Sequence, residues 1–281
     1  MKTFKQFEQT EKTLMIIDAL NLAFRYKHSK ARDFAEDYLR TVESLAKSYK
    51  AQHIIIATDQ GSSSYRKTIY PDYKQNRKDK YDQQTEAEKL EFELFFEDFA
   101  KTIELIGEKY PVLRFQGVEA DDIAAYIVSK KRKLPIDQIW LMSSDKDWDL
   151  LIKPGVSRFS YVTKKETTWE NWSDHYTFEP EQYVHVKCLM GDSGDNIPGV
   201  AGVGPKRAQQ LIEEYGTTWD IINSIPISGK YKYIEAINQS KTQLMLNYQL
   251  MDLVTYCSDA IGTENCKQID EILELCLNQK K

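Results

Sequence analysis

Residues 14–18 read Leu-Met-Ile-Ile-Asp, four consecutive apolar side chains closed by a carboxylate. Two more stretches share the form: IIIAT at 54–58 runs into Asp59, and IWLMSS at 139–144 runs into Asp145. Short apolar runs without polar alternation suit strands buried on both faces, as in a parallel sheet. Helical spacing fills the intervals at 34–49, 86–106 and 120–131; in the second, Phe92, Phe95, Phe99, Ile103 and Ile106 form one stripe. Strands alternating with helices predict an α/β fold with a mostly parallel sheet. Ligands of such sheets gather at the carboxyl ends of the strands. Three strands ending in Asp would therefore bring three carboxylates into one crevice.

Beyond about residue 180 the pattern becomes helical, near 181–190, 205–215, 232–238 and 240–253, with turns rich in Gly and Pro. This divides the chain into an α/β core over 1–180 and a helical part over 181–281, packed together as one unit. With 281 residues, 41% of them hydrophobic, there is material for a sizeable core, which excludes global disorder. The start, MKTFKQFEQTEKT, has no apolar leader segment, and no run approaches the ~20 apolar residues of a membrane span. Four cysteines without a CxxC pair make no disulfide framework, so a reducing, cytoplasmic setting is expected. His185 and Cys188 have the spacing of half a metal site, but no second half exists, and a buried helix face explains them better.

Acidic residues are unusually concentrated. GVEADD at 117–122 places Glu119, Asp121 and Asp122 in the first turn of a helix. The dipole there favours acids by roughly 0.3–1 kcal/mol each, but three carboxylates within four residues repel one another, and a cation would relieve that. SSDKDWD at 143–149 adds Asp145 and Asp147, and GDSGDN at 191–196 adds Asp192 and Asp195. Carboxylates without Cys or His point to a hard cation, Mg²⁺ or Mn²⁺. No EF-hand spacing and no GxxxxGK[ST] loop is present. A pair of ions in such a cluster suits in-line displacement at phosphorus.

Next to the strand ending at Asp59, residues 65–81 read YRKTIYPDYKQNRKDKY, six basic residues against two acidic ones, with four tyrosines interleaved. Basic groups track a phosphate backbone and rings stack on bases, so this segment would carry a polyanion to the carboxylates. Further on, NIPGVAGVGPKRAQQLI at 196–212 sets Gly199, Gly202 and Gly204 before Pro205, Lys206 and Arg207. Glycines allow close backbone approach, and a helix N-terminus offers free N–H groups to phosphate. Lys206 and Arg207 oppose the dipole there, which assigns them to a ligand. The net charge of −5 excludes a uniformly basic coat protein. It does not exclude DNA: nine of the 43 acidic residues sit in the cluster, and setting them aside leaves 38 basic against 34 acidic.

From LMIIDALNLAFRYKH through YPDYKQNRKDKY, GVEADD and SSDKDWDLL to GDSGDNIPGVAGVGPKRA, the chain resembles the flap endonucleases, or 5′-3′ exonucleases, of bacteriophages and of the N-terminal domain of bacterial DNA polymerase I. The resemblance implies a Rossmann-like, PIN-type core with a helical arch at about 62–95 and a helix–three-turn–helix at about 183–215. It implies Asp18, Asp59, Glu119, Asp121 and Asp122 as ligands of one metal ion, and Asp145, Asp147, Asp192 and Asp195 as ligands of a second. Lys74, Arg77 and Arg25 match residues at the scissile phosphate, and Tyr73 matches a base-stacking aromatic. Lys78 in the arch, and Gly202, Gly204, Lys206 and Arg207 in the turn, match DNA contacts, with K⁺ bound at the turn. The implied activity is Mg²⁺-dependent cleavage of branched DNA, by a monomer, near the junction of a 5′ single strand and a duplex, leaving 5′-phosphate and 3′-hydroxyl. Family sequences usually place Gly after the first Asp; Ala19 stands here. Two rivals are a single-strand-specific PIN-type ribonuclease, which lacks the glycine turn, and a flap-binding protein with a decayed site, which the full carboxylate set argues against. The tail EILELCLNQKK shows no sliding-clamp motif, leaving the protein partner open.

Overall fold

A computed structural model describes residues 11–278; residues 1–10 and 279–281 lie outside the described residues. Residues Thr13–Asp18 form β1, buried along its whole length. The strands β2 (His53–Ala57), β3 (Val112–Leu113), β4 (Gln138–Met142), β5 (Val156–Ser160) and β6 (Lys165–Thr167) complete a six-stranded sheet of order β3-β2-β1-β4-β5-β6. All pairings are parallel except β5 with β6. Leu14 and Ile16 pack into one buried cluster and Met15 and Ile17 into another, so side chains on either face of β1 meet protein and the run is apolar.

One face is covered by α1 (Ala19–His28), α2 (Ala35–Ser48) and α5 (Glu86–Gly107), which pack Tyr38, Val42, Phe95, Phe99 and Ile106 on Met15, Ile17, Ile54 and Ile56. A capping box at Thr85 and Glu88 starts α5. The other face takes α6 (Ala120–Ser129) together with α12 (Leu253–Ile261) and α13 (Thr263–Asn278). These last two helices bury Leu253, Cys257, Ile261, Ile269 and Leu273 against Leu14, Ile16 and Ile55. The sequence pattern stopped at 253 and did not show this return. The C-terminal segment from Leu253 therefore packs on the α/β core.

Between β2 and α5 lie α3 (Ser64–Ile69) and α4 (Gln75–Asp82), in the region expected for the arch. The helical part contains α7 (Tyr183–Met190), α8 (Pro205–Tyr215), α9 (Thr218–Ser224), α10 (Lys232–Gln239) and α11 (Lys241–Met251). Its cluster is built on Val186, Leu189, Leu211, Ile221 and Ile237. A two-stranded hairpin, β7 (Gly191–Asp192) and β8 (Ile197–Pro198), separates α7 from the glycine turn. Cys188 is fully buried in α7 and His185 bonds Thr218, in agreement with a structural role. Among the described residues no helix is long and apolar enough to cross a membrane.

Candidate metal centre and nucleic-acid interface

Strand order reverses direction at β1, where β2 lies on one side and β4 on the other, and such switch points open a crevice at the strand ends. A cavity of about 260 Å³ occupies that position. Eight carboxylates line it: Asp18, Asp59, Glu119, Asp121, Asp145, Asp147, Asp192 and Asp195. Its cationic lining is Lys74 and Arg77.

The carboxylates are held by hydrogen bonds, several of them between distant elements. Asp18 caps α1 through Asn21 N–H at 3.2 Å and accepts the Ser143 hydroxyl at 2.7 Å. Ser144 N–H donates to Asn21 Oδ1 at 2.8 Å, tying the end of β4 to α1. Asp59 accepts Ala120 N–H at 2.6 Å, at the start of α6. Asp121 accepts the Trp148 indole N–H at 2.6 Å, and Asp145 accepts Asp147 N–H at 2.9 Å. Asp192 closes its turn by accepting from Gly194 and Asp195 N–H.

Electrostatics divide the cavity. Burial, then repulsion from Asp59, pushes the Asp18 carboxyl up to about 8. Burial and the neighbouring Asp145 and Asp18 drive Asp121 well above its ordinary range, and Asp59 is raised mainly by burial. On the other side burial is outweighed: Lys74 and Arg66 hold Glu119 below its usual value, and Lys187 does the same for Asp192. Lys74 Nζ lies 2.8 Å from Glu119 and 3.7 Å from Asp195, while Arg77 Nη2 donates to Asp195 at 2.6 Å. Lys187 Nζ bonds Asp147 and lies 3.3 Å from Asp192.

Among the described residues no three carboxylates converge closely enough to hold an ion directly in this arrangement; protein ammonium and hydroxyl groups take the near positions. The donor set nonetheless fits hard divalent ions. It is all oxygen, and the raised Asp18, Asp59 and Asp121 carboxyls lack enough protein cation to offset their burial and mutual repulsion, an offset that a divalent ion would supply.

Three expectations need correction. Asp122 does not reach the cavity: it is fully buried, and both its oxygens accept from Arg66, at 2.7 and 2.8 Å. Tyr73 offers no face to a base, because it is 2% exposed and its hydroxyl donates to Glu119 at 2.9 Å and Asp195 at 3.0 Å. Arg25 does not line the acidic cavity; it lies in a separate one with Arg40, Thr41 and Tyr161, bonding the last two. Lys78 stands exposed on α4. In the turn, Gly202 has φ +76° and Gly204 caps α8. Lys206 is exposed, whereas Arg207 donates to Gly202 C=O at 2.6 Å and lies over the Tyr233 ring.

Sequence reasoning missed Lys187 and Arg66, both buried cations. A charged residue inside the apolar run VHVKCLM was the available signal for the first. A third missed pair supports the Asp145–Asp147 turn from behind: Arg158 holds buried Asp149 through two bonds and reaches Ser143 C=O at 3.1 Å.

Comparison with known proteins identifies the family. Residues 13–178 match the 5′-3′ exonuclease N-terminal resolvase-like domain, and 178–271 match the 5′-3′ exonuclease C-terminal SAM fold. The flap endonuclease of Escherichia phage T5 is 44% identical over 272 residues, covering 95% of this chain and 93% of the relative. A structure of T5 5′-exonuclease with divalent metal ions (zinc) bound superposes with a TM-score of 0.90 at 44% identity, over 94% of this chain and all of the other. A T5 flap endonuclease complex with DNA and metal ions gives a TM-score of 0.89 at 44% identity, again over 94% of this chain and all of the other. The chain belongs to the 5′-3′ exonuclease family, the phosphodiester-cleaving flap endonucleases.

Proposed function

We propose that the protein hydrolyses branched DNA near the junction of a 5′ single strand and a duplex, with Mg²⁺ as the working ion and Mn²⁺ as a substitute. The observation that carries this is the eight-carboxylate cavity at the sheet's switch point, bordered by the cationic segment of α4. Asp18, Asp59, Glu119 and Asp121 would hold one ion, and Asp145, Asp147, Asp192 and Asp195 a second. When bound, the ions supply an activated water and charge stabilisation at the phosphorus and leaving oxygen.

The chain's own groups do the rest. Lys74 and Arg77 now neutralise Glu119 and Asp195; a phosphodiester entering the cavity gives them a second anion, and they hold it against the carboxylate wall. Ser143 and Asn21 fix Asp18, and Trp148 fixes Asp121, so the acidic wall is set by protein bonds before substrate arrives. Lys78 would meet the single strand, and Arg25, from its separate cavity, would meet the same strand beyond the scissile phosphate. Gly202, Gly204, Lys206 and Arg207 would grip the duplex backbone, with K⁺ at the same turn on the strength of the resemblance. A monomer suffices for this reading.

The test is cleavage of a 5′-labelled DNA flap with Mg²⁺, with EDTA, and on a matched RNA flap. We expect cleavage of DNA at the junction with Mg²⁺ and none with EDTA. Cutting in EDTA, or preference for RNA, would refute the assignment.

A further inference from the structure

Asp122 stands among the metal-ligating sequence GVEADD, yet the structure gives it another partner. Arg66, 3% exposed at the root of the arch, uses every arm of its guanidinium. Nη1 and Nη2 chelate Asp122, Nη1 also reaches Glu119 Oε2 at 3.3 Å and the Ser63 hydroxyl at 3.3 Å, and Nε donates to Leu250 C=O at 2.9 Å. One side chain thus ties together α3, the carboxylate helix α6 and the end of α11.

What this arrangement fixes is Glu119. Its Oε1 accepts Ser63 N–H at 3.2 Å and Lys74 Nζ at 2.8 Å. Its Oε2 accepts Arg66 and, at 2.9 Å, the Tyr73 hydroxyl. Three of these four donors, Ser63, Arg66 and Tyr73, lie in or beside the arch root and are themselves buried. The fourth, Lys74, follows Tyr73 directly, and its backbone N–H donates to Asp195 C=O at 2.9 Å. Arg66 therefore sets both the position of a cavity carboxylate and the point from which Lys74 extends.

We propose that Asp122 is not a metal ligand and that Arg66–Asp122 is a positioning pair, which locks the arch root to α6 so that Glu119 and Lys74 face one phosphate. Bidentate geometry excludes lysine as a substitute, since an ammonium cannot span both carboxylate oxygens and also reach Glu119 and Leu250. Partners at one remove from a metal typically change affinity or activity by about 10- to 100-fold when removed.

This inference rests on the metal-nuclease reading, and the experiment separates the two. Mn²⁺ binding is counted by electron paramagnetic resonance for the wild type, Asp122→Asn and Asp121→Asn. We expect Asp122→Asn to bind as many ions as the wild type, weakened by about 10-fold through the displaced Glu119, and Asp121→Asn to bind one ion fewer. Because truncating one partner of a buried pair can unfold a protein, the second variant is Arg66→Met with Asp122→Leu. Replacing such a pair by apolar residues of similar volume is often neutral for folding. That double variant should melt near the wild type and bind DNA in EDTA as the wild type does, yet cleave about 10-fold or more slowly at saturating DNA. Restoring Asp122 alone should not recover the rate; restoring both should. Loss of one bound ion in Asp122→Asn, or wild-type cleavage by the double variant, would overturn the proposal. Absence of Mn²⁺ binding by the wild type would instead overturn the metal-nuclease reading.

Discussion

Asp18 carries a carboxyl pushed up to about 8, against 3.8 when unfolded. Between those values the folded chain keeps a proton that the unfolded chain has released, so metal-free protein loses stability as pH rises through that window. The melting temperature in EDTA should therefore fall from about pH 5 to about pH 8, and saturating Mg²⁺ should abolish the fall; a rise with pH in EDTA would show that the acidic wall is neutralised some other way. Lys74 allows a second expectation. Lys74→Ala should slow single-turnover cleavage about 100-fold while DNA affinity changes less than about threefold, and the opposite pattern would make it a docking charge only. At this scale the sequence revealed residue types and strand ends but not side-chain partners. Asp122 and Arg66 are 56 positions apart and meet only in the fold. Tyr73 looked like a stacking ring because nothing local shows that its hydroxyl has two buried acceptors.

Elements were legible where one physical signal dominated. β1, β2 and β4 are continuous apolar runs, and α5 keeps its stripe from Phe92 to Ile106. β5 escaped because VSRFS places Arg158 inward, a charge explained only in the fold, by its bonds to Asp149, Ser143 C=O and Thr167. The two-residue β3 is too short for any periodicity. The glycine turn yields a prediction that separates folding from binding. A Cβ on Gly199 would come within 2.1 Å of Met190 C=O, whereas one on Gly204 meets nothing within 4 Å. Gly199→Ala should unravel the hairpin and abolish duplex binding. Gly204→Ala should stay within about 1 kcal/mol of wild-type stability but bind duplex several-fold more weakly; unchanged binding would mean that no phosphate approaches that backbone. Lys206→Ala should lower the salt slope of duplex binding by about one.

At the scale of the molecule, the acidic total of the chain conceals a cavity that draws cations and a remainder with a slight basic excess. The acidic cavity is lined from different parts of the chain: strand ends, the α3–α4 segment and the Asp192–Asp195 turn. Its far support comes from α12 and α13, whose Leu253, Cys257, Ile261, Ile269 and Leu273 complete the sheet core. Amphipathic helices do not announce which distant face they cover, so this return was not readable from periodicity. A chain ending at residue 252 should consequently fail to fold cooperatively, and a stable, cooperatively melting fragment would contradict that packing. The most direct measurement of the whole account is anomalous scattering from crystals soaked in Mn²⁺. Two ions are expected in the cavity, one touching the group of Asp18, Asp59, Glu119 and Asp121 and one touching Asp145, Asp147, Asp192 or Asp195, with Asp122 still on Arg66. An empty cavity at saturating Mn²⁺, or ions bound only elsewhere, would contradict it.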